Sequence, residues 1–347
     1  KWEPWVFAKR RCRRILPAYY LSILILATLV SPVFFLSTNG LLHVLSHLTF
    51  THGFFLEHQS TINGVYWTLG VEWWFYLLML LVAPLLRSRR GFPLVVAAFL
   101  IVPYAWRAGV FYGTDLGHDR WRFFLGNQLP GSLDEFAVGI VLARWFIQRG
   151  RVRASVPDKA PAVAVAGRLT VVRTAAFRVA CSPAALGVAA AVLLGWCQWL
   201  MSWHSGDYWN VPYMMICWKT MLAVGFGLLI ASFLVSGPWL GAALHWTGIS
   251  YVGRISYSIY LVHGPVIMAF NGARQTSDLT ASSDAAFALA CVVVTLLIAS
   301  VSYYLVELPW LKGPEAARPE TYAVAGLSAE PAGIAGAAVR AAPVAIG

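Results

Sequence analysis

The sequence predicts an all-α fold, a polytopic membrane helix bundle with about eight transmembrane helices. Three observations predict it. Of 347 residues, 59% are hydrophobic and only 12% charged, against the roughly 25% charged of a soluble domain. Apolar stretches approaching the ~20 residues that a bilayer core demands recur along the chain. Lysine and arginine alternate between dense and sparse connections, as the orientation of membrane helices requires. The net charge of +11 therefore points to cytoplasmic loops beside anionic lipid, and no nucleic-acid partner is expected.

The expected spans run from Ala18 to Leu36, Val65 to Leu86, Phe92 to Tyr112, Ser132 to Ile147, Pro183 to Trp203, Val211 to Val235, Ile255 to Phe270 and Ala285 to Val306. The fourth and seventh are short. With these bounds one set of connections holds 20 of the lysines and arginines, including the run from Lys1 to Arg14 and seven between Arg149 and Arg178. The other set holds four, Arg107, Arg120, Arg122 and Arg274. Both termini are therefore expected on the cytoplasmic side. Residues 1–312 read as one transmembrane domain. Within it, 149–182 form a basic cytoplasmic loop lying on the membrane surface. The Ala-, Pro- and Gly-rich stretch 313–347 carries too little patterned apolar surface to fold alone and is expected to be disordered. Lys1-Trp2-Glu3-Pro4 is not a secretory signal, and residues upstream are expected to have been lost. Five scattered cysteines outline neither a disulfide framework nor a zinc site.

Glu72 is the most informative ionisable group, a carboxylate inside the aromatic, apolar run from Trp67 to Val82. Such a group costs roughly 2.5–3.5 kcal/mol to insert at bilayer depth, so it is expected to face the bundle interior and to have a task. Arg10, Arg11, Arg13 and Arg14 crowd the cytoplasmic mouth of the first span. Guanidinium forks suit phosphate oxygens, although topology alone would also place arginines there. His263, in Ile255-Ser256-Tyr257-Ser258-Ile259-Tyr260-Leu261-Val262-His263, could relay a proton or simply bond a neighbour. Asp134 and Glu135 open a span, where helix polarity favours negative charge and capping is the plainer account. Glu307 precedes Pro309 and marks a helix end, with an interfacial position as the plain reading. The stretch from Ser37 to Gly64 holds His43, His47, His52 and His58; the i, i+4 pair His43 and His47 would share a helix face, yet no metal-ligand signature surrounds them and no metal is expected. Gly109-x-x-x-Gly113 and Gly237-x-x-x-Gly241 fit the helix-packing pattern weakly. No Walker A loop or Gly-x-Ser-x-Gly elbow occurs.

In order, these segments resemble the acyltransferase 3 family of membrane acyltransferases. The resemblance covers Arg11 to Trp310 and rests on Arg11-x-x-Arg14-Ile15-x-Pro17-x-Tyr19, Trp67-Thr68-Leu69-x-x-Glu72-x-x-Phe75-Tyr76, Leu133-Asp134-Glu135-Phe136-x-x-Gly139, Ile255-Ser256-Tyr257-x-x-Tyr260-Leu261-x-His263-x-Pro265 and Glu307-x-Pro309. It implies an enzyme of the bacterial inner membrane that takes an acyl group, by default acetyl, from cytosolic acyl-coenzyme A to a hydroxyl of a surface glycan or similar acceptor. The partners are thus acyl-CoA as co-substrate, the hydroxyl acceptor and the lipid bilayer, with no permanently bound cofactor. Arg11 and Arg14 match the family's basic motif and would bind donor phosphates or order the cytoplasmic mouth. Glu72 matches its membrane glutamate and, with His263, is the catalytic candidate. Trp67, Tyr76, Asp134, Glu135, Ser256, Tyr257 and Glu307 are implied as structural or pocket-lining residues. The resemblance also implies a family core of about ten helices, with an Arg and His pair upstream of Arg11, so the chain is expected to be N-terminally incomplete. A polytopic transporter or flippase and a catalytically inactive acyltransferase remnant are the alternatives, the first disfavoured by the lack of inverted repeats.

Overall fold

Pro4 opens the first helix, at the position where a missing N–H costs nothing. The computed structural model of the chain describes residues 2–30, 32–114, 119–155, 182–275 and 282–312, and among these every regular element is helical. Helix α1 (Pro4–Ile25) passes through Pro17 and runs into a π-helical turn, Leu26–Val30. The apolar helix so formed covers Pro4–Leu29, well upstream of the span expected from Ala18. Arginine is a good helix former, so Arg10 to Arg14 extend α1 instead of flanking it. The consequence is positional. Arg11 and Arg14, three residues apart, occupy one helix face.

A short α2 (Pro32–Phe35) leads to α3 (Thr38–Leu48), whose first turn is capped by the Ser37 hydroxyl accepting the Gly40 N–H at 3.1 Å. Helix α3 is inside out. It buries His43, Ser46 and His47 and exposes Leu41, Leu42 and Leu45, the pattern of a helix lying in the membrane interface with its leucines toward lipid. There follow α4 (Tyr66–Arg87), α5 (Gly91–Gly113), α6 (Asp119–Gly126), α7 (Leu133–Ser155), α8 (Pro183–Trp203) and α9 (Pro212–Val235). The chain continues through α10 (Pro238–Trp246), α11 (Ile249–Arg254), α12 (Ser256–Gln275) and α13 (Ser282–Ser302) to a second π-helical turn, Tyr303–Glu307, and α14 (Leu308–Leu311).

Among the described residues six helices are long and apolar enough to cross a membrane. The expected fourth and seventh spans form α7 and α12, of 23 and 20 residues, but fall outside that group. Their polar residues, from Asp134 and Glu135 in α7 to His263 and Asn271 in α12, lower the hydropathy. Of the basic segment expected at 149–182, the first part continues α7 to Ser155; residues 156–181, like the expected tail at 313–347, lie outside the described residues.

Helix α4 stands between two groups. On one side α1 packs against α4, α12 and the C-terminal turn; on the other α4 packs on α5, and α5, α7 and α9 pack on one another, with α8 against α9. The first group is cored by Ile15, Tyr19, Ile23, Tyr66, Leu69 and Leu261. The second is cored near α4 by Phe75, Val95, Phe99, Leu133 and Ala137. Close approach occurs at Gly225, where an added Cβ would meet Leu194 at 2.7 Å, whereas Gly109, Gly113 and Gly241 face open space. The weak Gly-x-x-x-Gly patterns therefore do not mark the tight contact.

Two arginines counted with the sparse connections are buried. Arg107 lies inside α5 and pairs with Asp134 of α7 at 2.5 Å, both at most 1% exposed. Arg122 of α6 donates to the carbonyls of Thr114 (2.8 Å) and Trp209 (3.0 Å) and to Asn210 Oδ1 (2.7 Å), tying the end of α5 to the connection before α9.

Candidate functional site

Helix α4 presents two faces with different chemistry. Positions 68, 72 and 76 recur every four residues and put Thr68, Glu72 and Tyr76 in one row. Positions 67, 70, 71 and 74 put Trp67, Gly70, Val71 and Trp74 on the opposite side. The first row faces α1 and α12.

In that row the Tyr76 hydroxyl donates to Glu72 Oε1. The Arg11 guanidinium lies over the Tyr76 ring, 4.9 Å from its centroid, and 5.3 Å from the centroid of Phe7. The cation thus reaches the acid through one aromatic ring. Arg14 acts electrostatically on both Tyr76 and Glu307. From α12, Tyr257 and Tyr260 lie within electrostatic reach of Glu72. The Tyr257 hydroxyl donates to the Ile15 carbonyl at 2.9 Å, locking α12 to α1, and the Tyr260 hydroxyl meets Thr68 and the Val65 carbonyl, locking α12 to α4. A polar seam therefore runs between three helices from the arginine turn of α1 inward.

Glu307 belongs to this seam and lies inside the bundle. It is 4% exposed and accepts a hydrogen bond from the buried Ser258. The π-helical turn Tyr303–Glu307 shifts the register of the last helix, which turns the carboxylate inward against α12. Ser256, a sequence candidate, is exposed at the start of α12, and Ser258 takes the buried position. His263 is half-buried and its Nδ1 bonds the Ile259 carbonyl of its own helix at 3.2 Å; its ring lies 5.7 Å from that of Tyr260. It makes no hydrogen bond or ion pair to Glu72 among the described residues.

Asp134 and Glu135 belong to a second polar centre, beyond α5. Asp134 also accepts from the Thr220 hydroxyl, Lys219 donates to Asn127, and Lys219 and Glu135 interact electrostatically. The buried Asp134 is thus the partner of Arg107 and not simply a helix cap. Arg107, Thr220 and Lys219 were absent from the sequence candidates. The sequence signal of Arg107 and Lys219 is the one that singled out Glu72, a charge inside an apolar span; Thr220, an uncharged hydroxyl, carries no such signal, and only contact could pair them.

The four histidines between α1 and α4 associate as two ring pairs, His43 with His58 at 3.9 Å and His47 with His52 at 4.2 Å with rings 5° from parallel. The i, i+4 residues His43 and His47 do share the buried face of α3, yet each pairs with a histidine from the following loop, His47 stacked on His52 and His43 tilted 36° against His58. Phe50 takes a left-handed backbone with φ of 57°, held there by stacking on Trp73 at 4.5 Å and Tyr19 at 4.7 Å.

Helices of this length enclosing paired charges define an integral membrane protein with a polar interior. The family model for an acyltransferase domain, Acyl_transf_3, matches residues 2–304, and the chain belongs to that family. It is 24% identical over 323 residues to YrhL of Bacillus subtilis (strain 168), a protein provisionally named a peptidoglycan O-acetyltransferase. The aligned region is 88% of this chain and 45% of that protein, so the chain spans less than half the length of this relative. No solved structure matches the chain.

Proposed function

We propose that the chain is a membrane O-acyltransferase that moves an acyl group, acetyl by default, from cytosolic acyl-CoA to a hydroxyl of a cell-surface or exported glycan. It would work in a bacterial inner membrane with both termini cytoplasmic. The observation that carries this reading is the linkage of Arg11, Tyr76 and Glu72. An acyl-CoA donor needs cations for its phosphates at one end and, deeper in, a group that manages the proton released when a hydroxyl attacks the thioester. Arg11 and Arg14 supply the first on α1. Glu72, bonded to Tyr76 and within reach of Tyr257, supplies the second or orients the group that does. His263, one turn beyond Tyr260, is the remaining candidate for proton transfer. Family membership supports the transferase class, and the name of the Bacillus relative supports a glycan acceptor.

The test is transfer of labelled acetyl from acetyl-CoA to glycan in membranes carrying the chain. Glu72→Gln is expected to lower the rate by about 10²–10⁴-fold, the range for loss of a positioned acid or base. Arg11→Ala is expected to raise the KM for acetyl-CoA more than it lowers kcat. Unchanged transfer by Glu72→Gln would remove Glu72 from the mechanism, and absence of transfer by the gene product that includes any residues upstream of Lys1 would remove the enzyme reading.

A further inference from the structure

The opposite face of α4 carries a feature that the reaction at Glu72 does not use. Trp67, Gly70, Val71 and Trp74 of α4, with Phe54, line a cavity of about 190 Å³. A second cavity of about 290 Å³ is lined by Ser60, Thr61, Glu57 and Arg120. Gln59 lines both. The pair together fall within the roughly 300–1,000 Å³ usual for small-molecule sites. Between them the Trp67 ring meets Phe123 edge to face at 5.5 Å.

Gln59 decides what the cavities suit. Its residue is 4% exposed, and its carboxamide makes no hydrogen bond to any described residue. Among the described residues neither amide atom counts with the fully buried polar atoms that lack a partner, so its donor and acceptor open onto the two cavities, where a ligand can replace water as their partner. A lipid tail would fill the aromatic cavity and leave that amide bare. A sugar ring answers every element of the site: its C–H face lies against indole, its hydroxyl or acetamido groups pair with a carboxamide, and the next ring meets hydroxyls and the exposed Arg120–Glu57 pair, 3.0 Å apart.

We infer that the two cavities form a subsite for two successive pyranose rings of a glycan, with Gln59 as their shared polar contact. The inference rests on the glycan reading of the acceptor proposed above. Because Trp67 and Val71 face away from Glu72, the rings held here are not the ones that react. The subsite holds the polymer at a distance from the attacking hydroxyl and supplies affinity and register, as remote binding contacts do.

The probe is the soluble tetramer of β-1,4-linked N-acetylglucosamine, added to the purified full chain in detergent. Calorimetry is expected to show binding that Gln59→Leu and Val71→Trp each weaken at least tenfold at unchanged melting temperature. Hydroxyl-radical footprinting of the wild-type chain is expected to show Trp67 and Trp74 protected by the tetramer, a result that needs no variant to fold. No binding, no protection of these tryptophans, or wild-type affinity in both variants overturns the subsite. If protected binding occurs but labelled acetyl is never transferred, the subsite stands and the transferase reading falls. If acetyl is transferred while both variants keep the wild-type acceptor KM, the transferase reading stands and the subsite falls.

Discussion

His47 shows what burial does to a side chain whose ordinary pKa lies near neutrality. Its Nδ1–H donates to the His43 carbonyl at 2.8 Å, which leaves Nε2 as the unprotonated nitrogen, and that atom is buried with no partner among the described residues. Charging the ring would place a second N–H in the same dry spot, against the stacked His52. Burial foremost, and then His52, push its pKa from 6.5 down to about 3. His52, which donates to the Tyr66 carbonyl at 3.1 Å, is also lowered, mainly by burial. The folded protein thus keeps His47 neutral where the unfolded chain takes up a proton. Stability is undiminished above pH 6.5 and falls as the pH drops from there toward 3. By pH 5 the loss from His47 is roughly 2 kcal/mol. Thermal unfolding in detergent is expected to show a lower melting temperature at pH 5 than at pH 7.5, with the difference reduced in His47→Leu. An equal difference in that variant would exclude His47 as its source.

At the level of elements, one ion pair joins three helices. Arg107 of α5 meets Asp134 of α7, and the Thr220 hydroxyl of α9 lies 3.2 Å from the guanidinium and bonds the same carboxylate. Removing one partner leaves a buried charge uncompensated, at a cost of about 3–5 kcal/mol, whereas replacing both by apolar groups of similar size can be neutral. Arg107→Met is therefore expected to destabilise by about that amount, and Arg107→Met with Asp134→Leu to recover most of it. Melting temperatures of the two variants in one detergent check this. If the double variant is no more stable than the single one, the pair is not what couples α5, α7 and α9. The Tyr257 and Tyr260 hydroxyls do the equivalent work for α12, fastening it to α1 and α4 and thereby fixing the wall opposite Glu72.

For the whole molecule the measurable property is orientation. With Arg107 inside α5 and paired with Asp134, the sparse set of connections holds one cation fewer than the sequence count implied. Cations on short connections orient membrane proteins. A fluorescent protein fused after Gly347 is expected to light up inside bacterial cells, and alkaline phosphatase at the same position is expected to be inactive. The reverse pair of results would invert the bundle and move Arg11 and Arg14 away from any cytosolic donor.

The bundle was legible because bilayer length and apolarity act locally: the segments beginning near Val65, Phe92, Pro183 and Val211 emerge as α4, α5, α8 and α9 with bounds close to those expected. The first span was misread at its start. Arginine next to an apolar run reads as a flank, although its helix propensity lets α1 continue through it. Glu72 was legible as an anomaly, a charge where hydropathy forbids one. Arg107, Ser258 and Gln59 were not, because their meaning lies in a partner far along the chain or in an empty space.

Composition and the spacing of apolar and basic residues, each a property of a short window, were enough to establish a polytopic helical membrane protein with an acid inside one of its apolar helices. Tertiary structure alone decided that Glu72 and Trp67 look in opposite directions from α4, that Tyr76 carries the acid to Arg11, and that Asp134 answers Arg107. A hydrogen bond or ion pair is made across space, between residues whose separation in sequence sets no distance between them, so only the packing of the helices selects which polar groups meet.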